Sequence, residues 1–207
     1  MATQTRSTRS RSSVTRPASA RRREPQDAIA VLKADHRTVE DLFTKFEKAG
    51  ERAFKTKRSL VDRMITELSV HAAIEEAFLY PAARAEVPQT ESEVLESLEE
   101  HHVVKWLLTE LDGIDPETER FDAKVAVLTE NVRHHVAEEE GTLFPALRTH
   151  LTRSRLVELG KELHAAKSHV PTHPHPRSPD VPPLNVVPDA VAHVLDKARD
   201  VVRSGRS

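Results

Sequence analysis

The sequence predicts an all-α protein, an antiparallel four-helix bundle with an extension at each end. Three observations support this prediction. First, 38% of the 207 residues are hydrophobic, 4% are aromatic and 31% are charged, which suits a helix-rich protein better than a β-sandwich. Second, five glycines leave little material for many tight turns. Third, apolar residues recur at spacings of three and four, as they do on the buried face of an amphipathic helix.

The apolar stripes divide into four predicted helices, which cover about residues 26–48, 54–86, 90–112 and 117–148. Helix-breaking residues separate them near Gly50, at Val87-Pro88 and at Gly113 to Pro116. We expect Pro81 and Pro145 to kink or end the second and fourth helices, because proline cannot donate a backbone hydrogen bond. A shorter fifth helix is predicted over residues 152–168.

The two ends of the chain differ in composition from the predicted bundle. Residues 1–24 are rich in Ser, Thr and Arg, so we expect a disordered basic tail there. Residues 170–187 are rich in proline, which indicates an extended strap, and residues 188–203 are compatible with one more helix. We therefore divide the chain into a tail (1–24), a helical domain (25–168) and a proline-rich extension (169–207).

Composition also excludes or disfavours several classes of function. The chain has no cysteine, so any bound metal must be held by nitrogen and oxygen ligands. No apolar run is as long as a membrane span, and no apolar segment near the N-terminus is typical of a secretory signal, so we expect a cytoplasmic protein. A net charge of -2 argues against nucleic acid as a main partner, although the basic tail leaves weak binding open.

The helical stripes contain polar side chains at positions where leucine is expected. Histidine and glutamate recur in this way on all four helices, at His36, His71, Glu75, His101, His135 and Glu139. A histidine and a glutamate four residues apart share one face of a helix. Burying two glutamates beside four histidines is costly unless a cation offsets the charge. The pattern therefore predicts a metal site in the bundle core.

An internal repeat supports the same set of residues. The stretch from His71 to Pro81 matches the stretch from His135 to Pro145 at an offset of 64 positions, and the surroundings of His36 match those of His101 at an offset of 65. Two helical hairpins thus carry equivalent side chains about a predicted pseudo-two-fold axis. The repeat selects one residue from each adjacent pair: His101 over His102, His135 over His134, and Glu139 over Glu140.

These motifs resemble the hemerythrin-type His-His-Glu (HHE) cation-binding domain of bacterial proteins. The resemblance covers about residues 27–168 and depends on Asp35-His36-Arg37 and on the stretches HAAIEEAFLYP (71–81), EHHVVKWLLTEL (100–111) and HHVAEEEGTLFP (134–145). It implies an up-down-up-down bundle that holds two iron ions as a non-haem di-iron centre. It also implies that Glu75 bridges the two irons and that Glu139 bridges or caps them.

The chain departs from the oxygen-carrying members of that family at two positions. Lys105 stands where they have a second histidine on the third helix, and Glu140 stands where they have an aspartate five residues after the histidine of the fourth helix. The repeat favours Glu139, although Glu140 is the alternative ligand. A site with one nitrogen fewer and more carboxylate resembles the di-iron bundles that activate oxygen or peroxide.

Other candidate residues have simpler interpretations. His102 and His134 lie off the main stripe, so we assign them to the surroundings of the site or to the surface. Tyr80 is predicted to pack in the core, with a hydrogen bond near the metals as the alternative. A histidine-rich group near the end of the helical domain is interpreted as tail composition and consists of His164, His169, His173 and His175.

The predicted function is a reaction of the di-iron centre with oxygen or hydrogen peroxide, in a catalase-like or ferroxidase-like protective role. The alternative is a binding or sensor protein for oxygen, nitric oxide or iron that performs no turnover. Iron storage ranks last, because nothing in the sequence provides a large mineral cavity.

Overall fold

The computed structural model describes residues 26–177 and Asp196, and every regular element within that part of the chain is helical. The elements are α1 (Ala28–Glu47), α2 (Phe54–Ile74), a first π-helical turn (Glu75–Leu79), α3 (Tyr80–Glu86), a 3-10 turn (Pro88–Thr90), α4 (Glu91–Leu111), α5 (Phe121–Glu138), a second π-helical turn (Glu139–Leu143), α6 (Phe144–His150) and α7 (Arg153–Ala166). The predicted all-α fold is confirmed. The predicted tail over residues 1–24 and the predicted helix over residues 188–203 lie outside the described residues, apart from Asp196.

The bundle consists of two helical hairpins. In the first hairpin α1 packs against α2, and in the second α4 packs against α5. The hairpins meet through contacts of α2 with α4 and of α1 with α5. None of the helices in the described ranges is long and apolar enough to cross a membrane.

Of the two outcomes expected at Pro81 and Pro145, a kink or an end of the helix, the structure excludes the end, since helical residues continue past both prolines. Each proline follows a π-helical turn, in which the backbone N–H of Tyr80 or Phe144 donates to the carbonyl five residues earlier. The wider turn comes just before the proline. Proline has no backbone N–H, so it would interrupt the hydrogen-bond pattern of a regular α-helix. The helices then resume as α3 and α6.

The buried apolar side chains form two clusters rather than one continuous core. One cluster surrounds the start of α1 and includes Ile29 and Leu32, while the other surrounds its second half and includes Val39 and Phe43. His36 lies between these two pairs on the same helix and is itself buried. Polar residues therefore occupy the middle layer of the bundle.

Helix α7 packs along α1 and begins at Thr152, whose side chain accepts a hydrogen bond from the Arg155 backbone N–H at 3.2 Å. The contact is close because of Gly160. A Cβ atom at this position would lie 2.4 Å from the Gln26 carbonyl oxygen, so only glycine fits without a shift. The close approach anchors α7 beside the N-terminus of α1.

Candidate metal centre

The structure brings the six predicted ligand residues together in the middle layer of the bundle. All six side chains are buried, with 0–6% of each residue exposed. Helix α1 supplies one histidine and α4 supplies another, while each of the two remaining bundle helices supplies a histidine and, at the start of its π-helical turn, a glutamate. The members are His36, His71, Glu75, His101, His135 and Glu139.

The six residues form two overlapping groups of potential ligand atoms. In the first group, atoms of His36, His71, Glu75 and Glu139 all lie within 4.8 Å of one another. The His71 Nε2 to Glu75 Oε2 distance is 3.1 Å, and the His36 Nε2 to Glu139 Oε2 distance is 3.4 Å. Two imidazole nitrogens and two carboxylates thus converge on one space.

The second group consists of Glu75, His101 and His135, again within 4.8 Å. Glu75 Oε2 lies 3.5 Å from His101 Nε2, and Glu139 Oε2 lies 3.6 Å from His135 Nε2. Each glutamate therefore faces a histidine of both groups. Glu75 is the residue that the two groups have in common.

The π-helical turns help to place the carboxylates. In the first π turn the consecutive residues Glu75 and Glu76 are both buried, at 0% and 5% exposure. Neighbouring residues of an α-helix point about 100° apart, so a regular helix would not readily direct both inward. π-Helical turns are often found at functional sites for this reason. Apart from the repeated proline, no sequence pattern predicted these turns.

Each histidine directs Nε2 inward and has a carboxylate near Nδ1. These outer carboxylates follow the internal repeat. Asp35 and Glu100 directly precede the histidines of α1 and α4, and Glu76 and Glu140 directly follow the two inner glutamates. The Nδ1 to carboxylate distances are 3.7 Å for His71 with Asp35, 2.7 Å for His135 with Glu100, 2.9 Å for His101 with Glu76 and 2.9 Å for His36 with Glu140. Carboxylates in this position fix the ring orientation and the tautomer of a metal-binding histidine.

Three lysines offset the charge of this outer set of carboxylates. Their nitrogens lie 2.7 Å from the outer carboxylate in two cases and 2.5 Å in the third, for Lys33 with Glu140, Lys105 with Glu76 and Lys167 with Asp35. Lys105 therefore does not enter the centre in place of a histidine. It lies outside His101 and pairs with the carboxylate that contacts His101 Nδ1. Sequence periodicity did not identify these lysines, because their partners lie on other helices.

Several polar atoms of the inner set have no hydrogen-bond partner within the described part of the chain. They are His36 Nε2, both ring nitrogens of His71, both carboxyl oxygens of Glu75 and Glu139 Oε2. An unpaired buried polar group costs about 1–3 kcal/mol, so their convergence calls for an additional partner. Imidazole and carboxylate donors suit iron and similar cations. The donor set therefore fits bound cations.

Burial and mutual charge perturb the titration of the inner residues. Burial, reinforced by the charge of Glu139, raises the pKa of Glu75 well above its ordinary value. Burial opposes ionisation of Glu139 as well, but the charge of His135 and the nearby imidazoles of His36 and His71 prevail and lower its pKa. Burial lowers the pKa of His71 to about 4. When cations are absent, these directions favour the charged form of Glu139 over the charged form of Glu75.

Tyr80 lies against this set, as the alternative prediction for it proposed. Its side chain is 1% exposed, and its hydroxyl donates a hydrogen bond of 3.0 Å to Glu139 Oε1. The Tyr80 hydroxyl oxygen also lies 3.3 Å from His101 Nε2. Tyr80 thus places an O–H group beside two of the predicted ligands.

The neighbouring residues lie outside the centre, in agreement with the phase of the repeat. The His134 side chain is 64% exposed and approaches Glu138 at 3.3 Å. His102 accepts a hydrogen bond of 3.1 Å from Trp106 Nε1 near the surface. Glu140 contacts the outer nitrogen of His36 rather than the converging Nε2 atoms.

The histidine-rich group near the C-terminal end divides in the structure. His164 and His169 are exposed, but His173 is buried and His175 is partly buried. His175 Nε2 lies 3.2 Å from Asp196 Oδ2, which also accepts the backbone N–H groups of residues 172 and 173. Composition alone did not distinguish the two histidines that pack from the two that do not.

Comparisons with known proteins agree with this geometry. Residues 27–147 match the family described as the Hemerythrin HHE cation binding domain. An uncharacterized hemerythrin-like protein of Schizosaccharomyces pombe is 27% identical over 169 residues, which is 81% of this chain and 82% of that protein. A protein of Nostoc named DNA nickase is 30% identical over 140 residues, which is 68% of this chain but 39% of the nickase.

A solved structure shows the same fold. The crystal structure of a Hemerythrin HHE cation binding domain-containing protein from Mycobacterium kansasii superimposes with a TM-score of 0.60 at 25% identity. The match covers 69% of this chain and 85% of that one. The family match spans more than half of the present chain and includes all six residues of the inner set. The chain belongs to the hemerythrin HHE cation-binding family.

Proposed function

We propose that the protein binds two iron ions as a non-haem di-iron centre and that the iron-loaded protein reacts with oxygen or hydrogen peroxide. The observation that carries the proposal is the pair of overlapping groups in which Glu75 is shared between His36 and His71 on one side and His101 and His135 on the other. One cation would need only one such group. Two groups with a common carboxylate suit a dinuclear site.

When bound, iron supplies Lewis-acid and redox chemistry. The chain itself contributes the orientation of three histidines, because outer carboxylates hold Nδ1 of His36, His101 and His135 and leave Nε2 directed inward. Tyr80 holds an O–H group against Glu139, where it donates a hydrogen bond within the buried site. Disproportionation of hydrogen peroxide fits such a site, since two peroxide molecules yield one oxygen and two waters without a further reductant.

Metal analysis tests the binding half of the proposal. Protein loaded with ferrous iron and then desalted should retain two irons per chain. Glu139→Ala should lose the dinuclear form, because the residue faces both groups, whereas His134→Ala should retain it. Equal losses in the two variants, or retention of a single zinc ion in place of iron, would contradict the assignment.

Gas and peroxide measurements test the reaction half. The iron-loaded protein should consume hydrogen peroxide faster than free iron and release half a mole of oxygen per mole consumed. A sensor or carrier of oxygen or nitric oxide is the alternative, and its signature is a reversible, long-lived oxygenated species without peroxide consumption. A cytoplasmic role in protection from oxidative stress is part of the same proposal.

A further inference from the structure

A groove of about 300 Å³ lies between α1 and α5 and ends at His36, one of the six candidate ligands. Its walls are mainly apolar and its inner end is polar, with lining side chains that include Val39, Phe43, Val132, Val136, His36 and Glu140. A water molecule occupies about 30 Å³ in the liquid, so the groove has room for molecules much larger than oxygen. It connects the surface to the outer side of His36.

The carboxylates at the groove are paired with basic residues, and the exposed Arg37 also lines the groove. Arg133 lines the groove, hydrogen-bonds to Glu40 at 2.7 and 2.9 Å, and also pairs with Glu47 at 2.9 Å. Its guanidinium lies 5.9 Å from the centre of the Phe43 ring. At the inner end, Glu140 pairs with Lys33. With their charges offset, these walls favour an uncharged molecule over an ion.

The equivalent space in the other half of the repeat is filled. Glu140 corresponds to Glu76 and Glu40 corresponds to Lys105 at the offsets of the repeat. The Glu140 side chain is 32% exposed, whereas the Glu76 side chain is 6% exposed because Lys105 covers it and pairs with it at 2.7 Å. The departure from symmetry at Lys105 therefore closes one side of the centre, while Glu40 turns outward to Arg133 on the other side.

We propose that this groove is the access route and a transient binding site for a small uncharged molecule of the size of oxygen, nitric oxide or hydrogen peroxide. The molecule would reach the centre from the side of His36. The inference rests on the proposed function, since it assumes that the centre holds iron that such molecules reach. It adds a direction of approach, a binding surface, and a role for Lys105 in sealing the opposite side.

A pair of matched tryptophan substitutions on α5 tests the proposal. Ala137 is exposed and lines the groove, so Ala137→Trp should obstruct it without disturbing the core. Ala123 is exposed on the same helix and does not line the groove, so Ala123→Trp is the control. Nitric oxide is the probe, and its association with the ferrous-loaded protein is followed by stopped-flow absorbance.

With iron content equal in all three proteins, Ala137→Trp should slow association roughly tenfold, a barrier increase of about 1.4 kcal/mol, while the control keeps the wild-type rate. Equal rates in both variants would overturn the proposal. Xenon provides a readout that needs no metal, because apolar cavities bind it. In metal-free protein, xenon should shift the methyl signals of Val39, Val132 and Val136, and Ala137→Trp should abolish the shifts.

The two measurements separate this inference from the proposed function. Absence of bound iron, or of any reaction with nitric oxide, contradicts the proposed function and leaves the xenon result to decide whether the groove admits small apolar molecules. Absence of xenon shifts in the wild-type protein contradicts the groove itself. Iron binding with normal nitric oxide kinetics in Ala137→Trp supports the centre and contradicts the route.

Discussion

At the scale of single residues, the centre is organised by the two nitrogens of each imidazole. Nε2 points to the shared inner space, and Nδ1 is held by a carboxylate from another helix, as in His101 with Glu76 and His36 with Glu140. Since the rings of His36, His101 and His135 are fixed from outside, their inner nitrogens are positioned before any cation binds. Preorganisation of this kind reduces the entropy that a ligand must lose on binding.

The buried histidines should make the stability of the metal-free protein depend on pH. Burial lowers the pKa of His71 from its ordinary 6.5 to about 4. Between these values the unfolded chain binds one proton more than the folded one, so the contribution of His71 to stability is complete above pH 6.5 and is lost as the pH falls toward 4. Chemical denaturation of chelator-treated protein between pH 5 and 6 should show this slope.

His71→Gln is the matched variant for that measurement, because glutamine keeps a polar side chain and does not titrate. One proton corresponds to about 1.4 kcal/mol per pH unit, so the dependence of the unfolding free energy on pH should be less steep in the variant by roughly that amount. Identical slopes in the two proteins would show that His71 does not titrate on unfolding.

Which side chains point inward could be predicted from the sequence, but their partners could not. Helical periodicity and the repeat placed His101 and His135 on the buried face, and the structure confirms their burial. The partner of His101 is 25 positions away at Glu76, and the partner of His36 is 104 positions away at Glu140. Contacts at such separations depend on how the hairpins pack, which periodicity within one helix does not encode.

At the scale of elements, the bundle helices were predictable and their irregularities were not. The prolines at positions 81 and 145 indicated breaks, and the structure shows π-helical turns followed by further helix. Both turns begin at the glutamates of the inner set, Glu75 and Glu139. Each proline therefore marks a place where the helix widens locally beside the candidate site, and the helix continues beyond it.

Helix α7 was predicted, but its relation to the centre was not. It lies beyond residues 27–147, which match the family, and yet the residue that follows it, Lys167, pairs with Asp35 at 2.5 Å. Asp35 in turn lies 3.7 Å from His71 Nδ1. The element outside the family match thus supports a histidine of the inner set through one intervening carboxylate.

The docking of α7 can be tested at its closest contact with α1. Gly160→Ala would place a Cβ atom 2.4 Å from the Gln26 carbonyl oxygen, within a backbone that has little freedom to move. We expect the unfolding free energy to fall by about 1–3 kcal/mol, as in other overpacked positions. Thermal and denaturant unfolding of metal-free protein would measure the change.

Glycine-to-alanine substitution at another position should raise the unfolding free energy instead of lowering it. A Cβ atom at Gly141 would have no neighbour within 4 Å, so Gly141→Ala should cause no clash. Alanine in place of a helical glycine stabilises a protein by about 0.5–1 kcal/mol. Equal effects at the two glycines would mean that α7 does not approach α1 as the structure shows.

At the scale of the whole molecule, the polar layer divides the hydrophobic core in two. One apolar cluster lies on each side of it, and the layer between them contains Glu75 and Glu139 with exposures of 0% and 1%. The buried Glu75 carboxyl group lowers the stability of the metal-free fold, because its desolvation is not offset by any hydrogen bond to either oxygen among the described residues. Cations that bind the layer would complete the core as well as the site.

The clearest test of this balance replaces a buried carboxylate by an apolar side chain of similar size. Neither carboxyl oxygen of Glu75 has a hydrogen-bond partner among the described residues, so Glu75→Leu should stabilise the metal-free protein by about 1–4 kcal/mol while it abolishes binding of two irons. Glu130→Leu, at an exposed position of α5, should change stability by less than about 0.5 kcal/mol and leave iron binding intact. Denaturant unfolding of chelator-treated proteins and elemental analysis give the two readouts. If Glu75→Leu unfolds more easily than the wild-type protein without metal, then Glu75 serves the fold, and the view that its burial is retained for the metal is wrong.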